Sequence, residues 1–92
     1  MSNAGFQYQS SQQPHLIESL KIGIVTSVWN SEITEKLKLG AKERLLASGI
    51  KNQNIFTLSV PGAFELPLGA AKLFDAHHLD AVLCLGCIIK GD

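Results

Sequence analysis

Several side chains that could take part in binding follow apolar runs of the sequence. Trp29 ends the first run and could stack on a planar ring, although a large aromatic here could equally fill a core. Glu65 precedes a predicted helix, where a carboxylate suits the helix dipole and can accept free backbone N–H groups. Phe64, beside it, fits a ligand contact or a core plug equally. Residues 90–92, Lys-Gly-Asp, fit either an ordinary polar turn or a glycine turn that holds phosphate.

The two cysteines, Cys84 and Cys87, have the C-x-x-C spacing of redox-active disulfides and of half a zinc site. They fall in a predicted strand, where an odd offset directs two side chains to opposite faces. The sequence has no second cysteine pair to complete a zinc site. We therefore predict neither a metal site nor a redox pair, and interpret both as small buried apolar residues.

His77 and His78 lie between a predicted helix and a predicted strand, opposite the edge where a ligand is expected. We interpret them as solvated turn residues, because an imidazole near the C-terminus of a helix also suits the dipole.

The elements that must position these residues alternate between strand and helix. Apolar, β-branched runs predict strands buried on both faces at residues 21–28, 55–60 and 81–89. A helix should start at Asn30 or Ser31 and end before Gly49. A second should cover roughly 67–76, after the Pro61-Gly62 turn. Right-handed crossovers would make the strands parallel, with their carboxyl ends along one edge, where α/β proteins bind ligands.

The spacing of apolar residues also predicts which helix faces are buried. The first helix should bury Ile33, Leu37, Ala41 and Leu45, with Gly40 on the same face allowing close approach to the sheet. The second helix should bury Leu68, Ala71, Leu73 and Phe74.

Composition predicts one small domain and excludes several classes of protein. The 92 residues carry eight basic and eight acidic side chains, so the sequence indicates no nucleic-acid or anionic membrane surface. No apolar run approaches the roughly 20 residues of a membrane helix, and no secretory signal is apparent, so we expect a cytoplasmic protein. Residues 1–19, rich in glutamine and serine, should be mobile, and residues 20–92 should form the domain.

Two segments in combination carry a family resemblance. They are residues 60–67, VPGAFELP, and residues 85–92, LGCIIKGD. In this order and at this separation they resemble the two signature segments of 6,7-dimethyl-8-ribityllumazine synthase. Residues 21–30, which end in an aromatic-Asn pair, resemble a third. The resemblance covers roughly residues 21–92.

The resemblance implies a flavodoxin-like, three-layer α/β fold with a parallel sheet, of which the β-α-β-α-β part is present. It also implies a transferase of riboflavin biosynthesis that needs no cofactor. The family condenses 5-amino-6-(D-ribitylamino)uracil with 3,4-dihydroxy-2-butanone 4-phosphate, which requires reactants held together and a proton shuttle.

By the same resemblance, Trp29 stacks on the pyrimidinedione and Glu65 accepts hydrogen bonds from ribityl hydroxyls. Residues 87–89 line the pyrimidine pocket largely through backbone groups, and Asp92 begins the phosphate-binding turn. The substrate-binding residues implied are Trp29, Asn30, Ala63, Phe64, Glu65, Cys87, Ile88, Ile89 and Asp92.

The sequence departs from the family pattern after Asp92. There the family has a threonine that helps to hold phosphate and a histidine that acts as general acid/base. We therefore expect a truncated synthase with no catalytic residue of its own, inactive alone, whose third strand leaves an edge and an apolar face exposed.

The resemblance further implies a homopentamer or a larger shell, with active sites between subunits. The family's N-terminal segment adds to a neighbour's sheet, and residues 10–20 could form such a strand, although Pro14 limits pairing. Three alternatives stay open: an archaeal-type riboflavin synthase of the same fold, a non-catalytic flavin or phosphate-binding module, and a fragment that only associates with intact subunits.

Overall fold

A parallel three-stranded sheet organises the structure. The computed structural model describes the backbone of residues 14–90 and the side chains of residues 16–90. Its helices and strands, in chain order, are α1 (Pro14–Ser19), β1 (Ile22–Ser27), α2 (Ser31–Ala47), β2 (Ile55–Val60), α3 (Leu66–His77) and β3 (Ala81–Leu85). Short 3-10 turns cover Asn52–Asn54 and Ala63–Glu65.

Strand β1 occupies the centre of the sheet, in the order β2-β1-β3, and both of its neighbours run parallel to it. In this register Ser27 pairs with Val60, and Thr26 pairs with Leu85. The carboxyl ends of all three strands therefore share one edge. The predicted order, the parallel sheet and the α/β class are confirmed, consistent with a flavodoxin-like fold.

All six residues of β1 are buried, as a strand covered on both faces requires. On one face, α3 approaches so closely that a Cβ atom on Gly69 would lie 2.8 Å from Val25 Cγ1. Val25 belongs to a core cluster with Val60, Leu66, Leu73 and Leu79. On the other face Ile24 is fully buried, and α2 packs there against β1.

The predicted inner face of α2 is wrong in the first half of the helix. Ile33 and Leu37 are each 45% exposed, whereas Thr34 is fully buried. A Cβ on Gly40 would meet nothing within 4 Å, so this glycine makes no close approach. In the first turn of α2 the residue that faces the sheet is Thr34, whose hydroxyl donates to Ser27 O, and not its more apolar neighbour Ile33. Ala41 and Leu45 are half-buried.

In α3 the buried residues are Leu66, Gly69 and Leu73. Of the predicted set only Leu73 is correct: Leu68 is 60% exposed, Phe74 is 43% exposed and Ala71 is also exposed. Residues 66, 69 and 73 recur at helical spacing, but the middle one is glycine, which a search for periodic apolar residues does not detect. That glycine lets the helix approach β1 and β2.

Strand β3 is shorter and more exposed than predicted. It ends at Leu85 rather than residue 89, because β1, its partner, ends at Ser27. The predicted burial on both faces is wrong, since Leu83 is 37% exposed, and Cys84, predicted to be buried, is exposed. The expected exposed edge and apolar face are confirmed.

Two further expectations differ from the structure. Residues Pro14–Ser19 form a helix, not the strand considered for residues 10–20, and Asn54 Nδ2 donates to Glu18 O at 3.0 Å. His77 is half-buried and stacks on Phe56 with ring centroids 4.0 Å apart, so it is not a solvated turn residue. Residues 1–13 lie outside the described part, and the mobility of residues 1–19 stays a prediction. Within residues 14–90 no helix is long and apolar enough to span a membrane.

The two helical glycines provide a matched test of this packing. We expect Gly69→Ala to destabilise the fold, because the new methyl group would sit 2.8–2.9 Å from Val25 and Val60. Overpacking costs about 1–3 kcal/mol and outweighs the gain in helix propensity. Gly40→Ala meets no atom and should stabilise by about 1 kcal/mol. Urea denaturation measures both changes; equal effects of the same sign would contradict the close contact at Gly69.

Candidate functional site

The candidate site lies where the loops that follow β1, β2 and β3 meet. Backbone hydrogen bonds join the first two loops: Val28 N donates to Val60 O at 2.7 Å, and Trp29 N donates to Pro61 O at 3.0 Å. These bonds continue the parallel pairing of β1 with β2 beyond the strand ends. They fix the β1–α2 turn against the loop that carries residues 61–65.

Trp29 projects from this turn with 71% of its surface exposed. The structure therefore excludes the core interpretation and leaves the indole free to stack on a planar ring. Its backbone is held while its ring is uncovered, so the exposed position is a property of the turn and not of a frayed end.

Asn30 stands at the start of α2, but it does not cap the helix as predicted. It adopts the left-handed conformation, φ 63° and ψ 46°, and its side chain makes no capping hydrogen bond. Its Nδ2 atom is buried and has no hydrogen-bond partner among the residues that the structure describes. An unpaired buried donor and a left-handed non-glycine residue both cost free energy. Such costs concentrate at functional sites.

The loop after β2 forms a 3-10 turn over Ala63–Glu65. Gly62 N donates to Glu65 Oε1 at 2.8 Å, and Glu65 N donates to Gly62 O at 3.1 Å. The carboxylate therefore accepts a backbone N–H of the loop before it, whereas the predicted capping of the following helix is wrong, because the Glu65 side chain makes no capping bond to α3. Phe64, between them, is 98% exposed, so it plugs no core in the described chain.

The segment after β3 reaches the same place through Gly86. A Cβ on Gly86 would lie 2.9 Å from Leu66 Cδ1, 3.5 Å from Ala63 Cβ and 3.6 Å from Ser27 Oγ. All three loops therefore converge around this residue. Beyond it Cys87 is half-buried, whereas Ile88 and Ile89 are 88% and 61% exposed.

Asp92, the last predicted site residue, lies outside the described residues, as does Gly91. The other predicted site residues all follow strand ends at this one edge. Their roles in binding stay predictions. His77 and His78 close α3 at the opposite end of the sheet.

A groove of about 250 Å³ runs beside this edge, between β2 and α3. It includes Glu65 but not Trp29, Phe64 or residues 87–89. Ser59, Pro61, Leu68 and Lys72 also line it. Of the predicted site residues, Glu65 is the one that lines this groove.

The arrangement can hold a flat, polar ligand. Trp29 and Phe64 supply exposed aromatic surface, and Glu65 supplies a carboxylate with one oxygen engaged by Gly62 N–H. Backbone groups of residues 86–90 are outside regular pairing and are suited to hydrogen bonding at the edge. In the part of the chain with described side chains, no group of three metal-binding residues converges.

Thr34 is the residue that sequence reasoning missed. It is fully buried, and its hydroxyl donates to Ser27 O at 2.7 Å, across the turn that carries Trp29. A threonine four residues after a possible cap was the available signal, since a first-turn hydroxyl can satisfy a backbone carbonyl.

Comparison with known proteins identifies related sequences. The 6,7-dimethyl-8-ribityllumazine synthase family matches residues 19–92. The synthase of Parabacteroides distasonis is 45% identical over 86 residues, 94% of this chain and 53% of that protein. That of Cytophaga hutchinsonii is 51% identical over 83 residues, 90% of this chain and 52% of that protein. That of Stenotrophomonas maltophilia strain K279a is 49% identical over 75 residues, 82% of this chain and 48% of that protein.

The chain spans about half the length of these curated relatives, namely 53%, 52% and 48% of their lengths in the order given above. The match includes all three loops that converge at the carboxyl edge of the sheet. The chain therefore belongs to the 6,7-dimethyl-8-ribityllumazine synthase family, whose members are transferases of riboflavin biosynthesis.

Proposed function

We propose that this chain forms the pyrimidine-binding part of a lumazine synthase. The complete enzyme would condense 5-amino-6-(D-ribitylamino)uracil with 3,4-dihydroxy-2-butanone 4-phosphate, with loss of phosphate and water. The observation that carries the proposal is the convergence of Trp29, Glu65 and the segment after Gly86 at one sheet edge, in a chain of this family.

Each part of the edge has a proposed role in holding substrate. Trp29 stacks on the pyrimidinedione, because its indole is exposed on a turn held by β2. Glu65 uses Oε1 to hold the loop through Gly62 N–H, which leaves Oε2 to accept ribityl hydroxyl groups. Residues 87–89 line the ring pocket, and Asp92 begins the phosphate turn.

The rate of such a condensation depends on positioning and on proton transfer. Holding two reactants in the correct geometry can supply about 7–11 kcal/mol of the barrier. The edge described here serves positioning, with Trp29, Phe64 and Glu65 around the pyrimidine. The described residues of this edge include no histidine, the usual general acid/base. A polypeptide of these 92 residues should therefore turn over little or nothing alone.

Assembly and location follow from the family and are likewise proposed. The complete protein would be cytoplasmic and form a homopentamer or a larger shell, with sites between subunits. Phe64 and Ile88, 98% and 88% exposed at the site edge, support this arrangement, since large apolar groups at an interface gain burial from a neighbour.

The first test is an assay of the purified chain with both substrates. Lumazine formation is followed by its absorbance, phosphate release is followed separately, and binding of the lumazine product is followed by quenching of Trp29, the one tryptophan of the chain. We expect weak binding of the lumazine and no turnover. Absence of binding at millimolar lumazine would contradict the proposed site.

The same experiment separates the alternatives. Conversion of the lumazine to riboflavin would indicate an archaeal-type riboflavin synthase. Quenching of flavin fluorescence without lumazine binding would indicate a flavin-binding module. Co-purification with an intact synthase, lost on removal of residues 1–19, would indicate an association fragment; the exposed Leu83 and Ile88 make this outcome chemically reasonable.

The stacking role predicts the effect of removing the indole. Trp29→Ala should weaken lumazine binding by about 1–3 kcal/mol, the usual cost of losing one aromatic platform. Trp29→Phe should retain most of the affinity. Titration with the fluorescence of the lumazine itself measures both. Leu39→Ala is the control, since Leu39 is a large apolar residue 58% exposed on α2; an equal loss there would indicate a nonspecific effect.

The conformation of Asn30 predicts that its replacement will raise or preserve the free energy of unfolding and at the same time weaken ligand binding. Asn30→Gly removes the unpaired buried donor and the strain of φ 63°, and it loses no capping bond. We expect unchanged or higher stability, by up to about 1 kcal/mol, together with weaker lumazine binding. His78→Gly is the matched control, because His78 has φ 53° at the opposite end of the sheet. Thermal denaturation and titration measure both; unchanged binding in Asn30→Gly would remove Asn30 from the site.

A further inference from the structure

Thr34 joins the end of β1 to the first turn of α2. Its Oγ1 donates to Ser27 O at 2.7 Å, and its backbone N–H donates to Asn30 O at 3.1 Å. The side chain is 0% exposed, so water cannot reach the hydroxyl and replace Ser27 O as its hydrogen-bond partner. One residue therefore holds both ends of the three-residue turn formed by Val28, Trp29 and Asn30.

On the helix side of the turn, Ile33 N also donates to Asn30 O, at 2.9 Å, but this bond does not reach Ser27 O. The side chain of Asn30 makes no capping bond. Two further side-chain contacts, from Ser27 Oγ to Trp29 O and from Thr34 Oγ1 to Asn30 O, each have a length of 3.5 Å, at the limit for a hydrogen bond. Replacing the Thr34 hydroxyl with a methyl group would leave the Ser27 carbonyl buried and unpaired, which the chain can avoid only by moving the turn.

The opposite side of the turn is already fixed. Val28 N and Trp29 N donate to Val60 O and Pro61 O. The Thr34 bond closes the remaining side, so that a backbone held on both sides carries an indole that is 71% exposed. A ligand that stacks on such a platform loses little affinity to ordering it.

We propose that Thr34 is a positioning residue of the pyrimidine site, whose buried hydroxyl orders the Trp29–Asn30 turn before ligand arrives. Its effect on ligand rests on the proposed function, whereas its effect on the turn does not. Thr34 itself lies beneath the turn and touches no substrate.

The test compares Thr34→Val, which keeps the shape and removes the donor, with Thr34→Ser, which keeps the donor. NMR relaxation of the 92-residue chain gives backbone order parameters for Trp29 and Asn30. We expect about 0.85 in the unchanged chain and in Thr34→Ser, and below about 0.6 in Thr34→Val. Equal values in all three chains would overturn the proposal.

Leu79→Ala separates ordering of the turn from general stability. Leu79 is a buried core residue just before β3, at the opposite end of the sheet. It should destabilise the fold and leave the order parameters of residues 29 and 30 unchanged. Loosening of the turn by Leu79→Ala to the extent seen in Thr34→Val would overturn the proposal.

If Thr34→Val does not fold, measurements on the unchanged chain still test whether Thr34 orders the turn. A slowly exchanging Thr34 hydroxyl proton together with ordered amides at residues 29 and 30 supports the proposal, and order parameters below about 0.6 there overturn it.

Lumazine titration adds the functional consequence. Thr34→Val should bind the lumazine about tenfold more weakly, which corresponds to about 1.4 kcal/mol, and Thr34→Ser should recover the affinity. A loosened turn with unchanged affinity would overturn the positioning role. If the unchanged chain binds no lumazine, the proposed function fails, while the order parameters still decide whether Thr34 orders the turn.

Discussion

The burial of β1 between two helices and two strands is the constraint on which the rest of the structure depends. A central parallel strand needs apolar residues on both faces and backbone partners on both edges. Ile24 and Val25, adjacent in sequence and both fully buried, show that both faces are covered. Because β2 and β3 are both paired in parallel with β1, their carboxyl ends lie beside Ser27. The loops that follow the three strands therefore start at the same edge of the sheet.

At that edge, most groups that stabilise the fold are distinct from those proposed to meet the ligand, and Glu65, which holds the loop through Gly62 N–H, is proposed to do both. Thr34, Leu66 and Gly86 lie beneath the surface and set how closely the loops approach. Trp29, Phe64 and Ile88 lie above it and gain little from folding, since most of their surface stays exposed. Asn30 is the exception, because it is partly buried and still carries an unpaired donor. The unpaired donor and the left-handed conformation oppose stability, and they are the basis for proposing that Asn30 belongs to the site.

The sequence predicted the sheet well because strand signals and glycine–proline breaks are local. The run before Trp29 and the Pro61-Gly62 turn each fix where a strand ends, and the parallel order follows from chain connectivity. Helix faces were less predictable. Ile33 and Leu37 are apolar and four residues apart, so periodicity alone predicted that they, rather than Thr34, face the sheet. The residue buried at the start of α2 is instead Thr34, and its hydrogen bond to Ser27 O is a feature that no hydropathy pattern encodes.

The end of β3 shows the same limit. The apolar run continues to Ile89, but pairing requires a partner, and β1 has already turned away at Ser27. The location of the predicted site residues at one edge could be predicted because motif and topology agreed, whereas their exposure depended on how the loops are held. Whether a side chain such as Trp29 enters a core or stands free cannot be decided from residue type when the same turn permits both.

The loops after β1 and β2 are joined to each other through main-chain atoms, from Val28 N to Val60 O and from Trp29 N to Pro61 O. Every amino acid except proline supplies the same donors, so these bonds do not depend on which side chains stand at positions 28 and 29. Natural variation can therefore replace the ring at position 29 with another, or alter its size, without rebuilding the turn. At positions 28 and 29, main-chain atoms therefore set the geometry of the edge, and side chains set the chemistry that the edge presents.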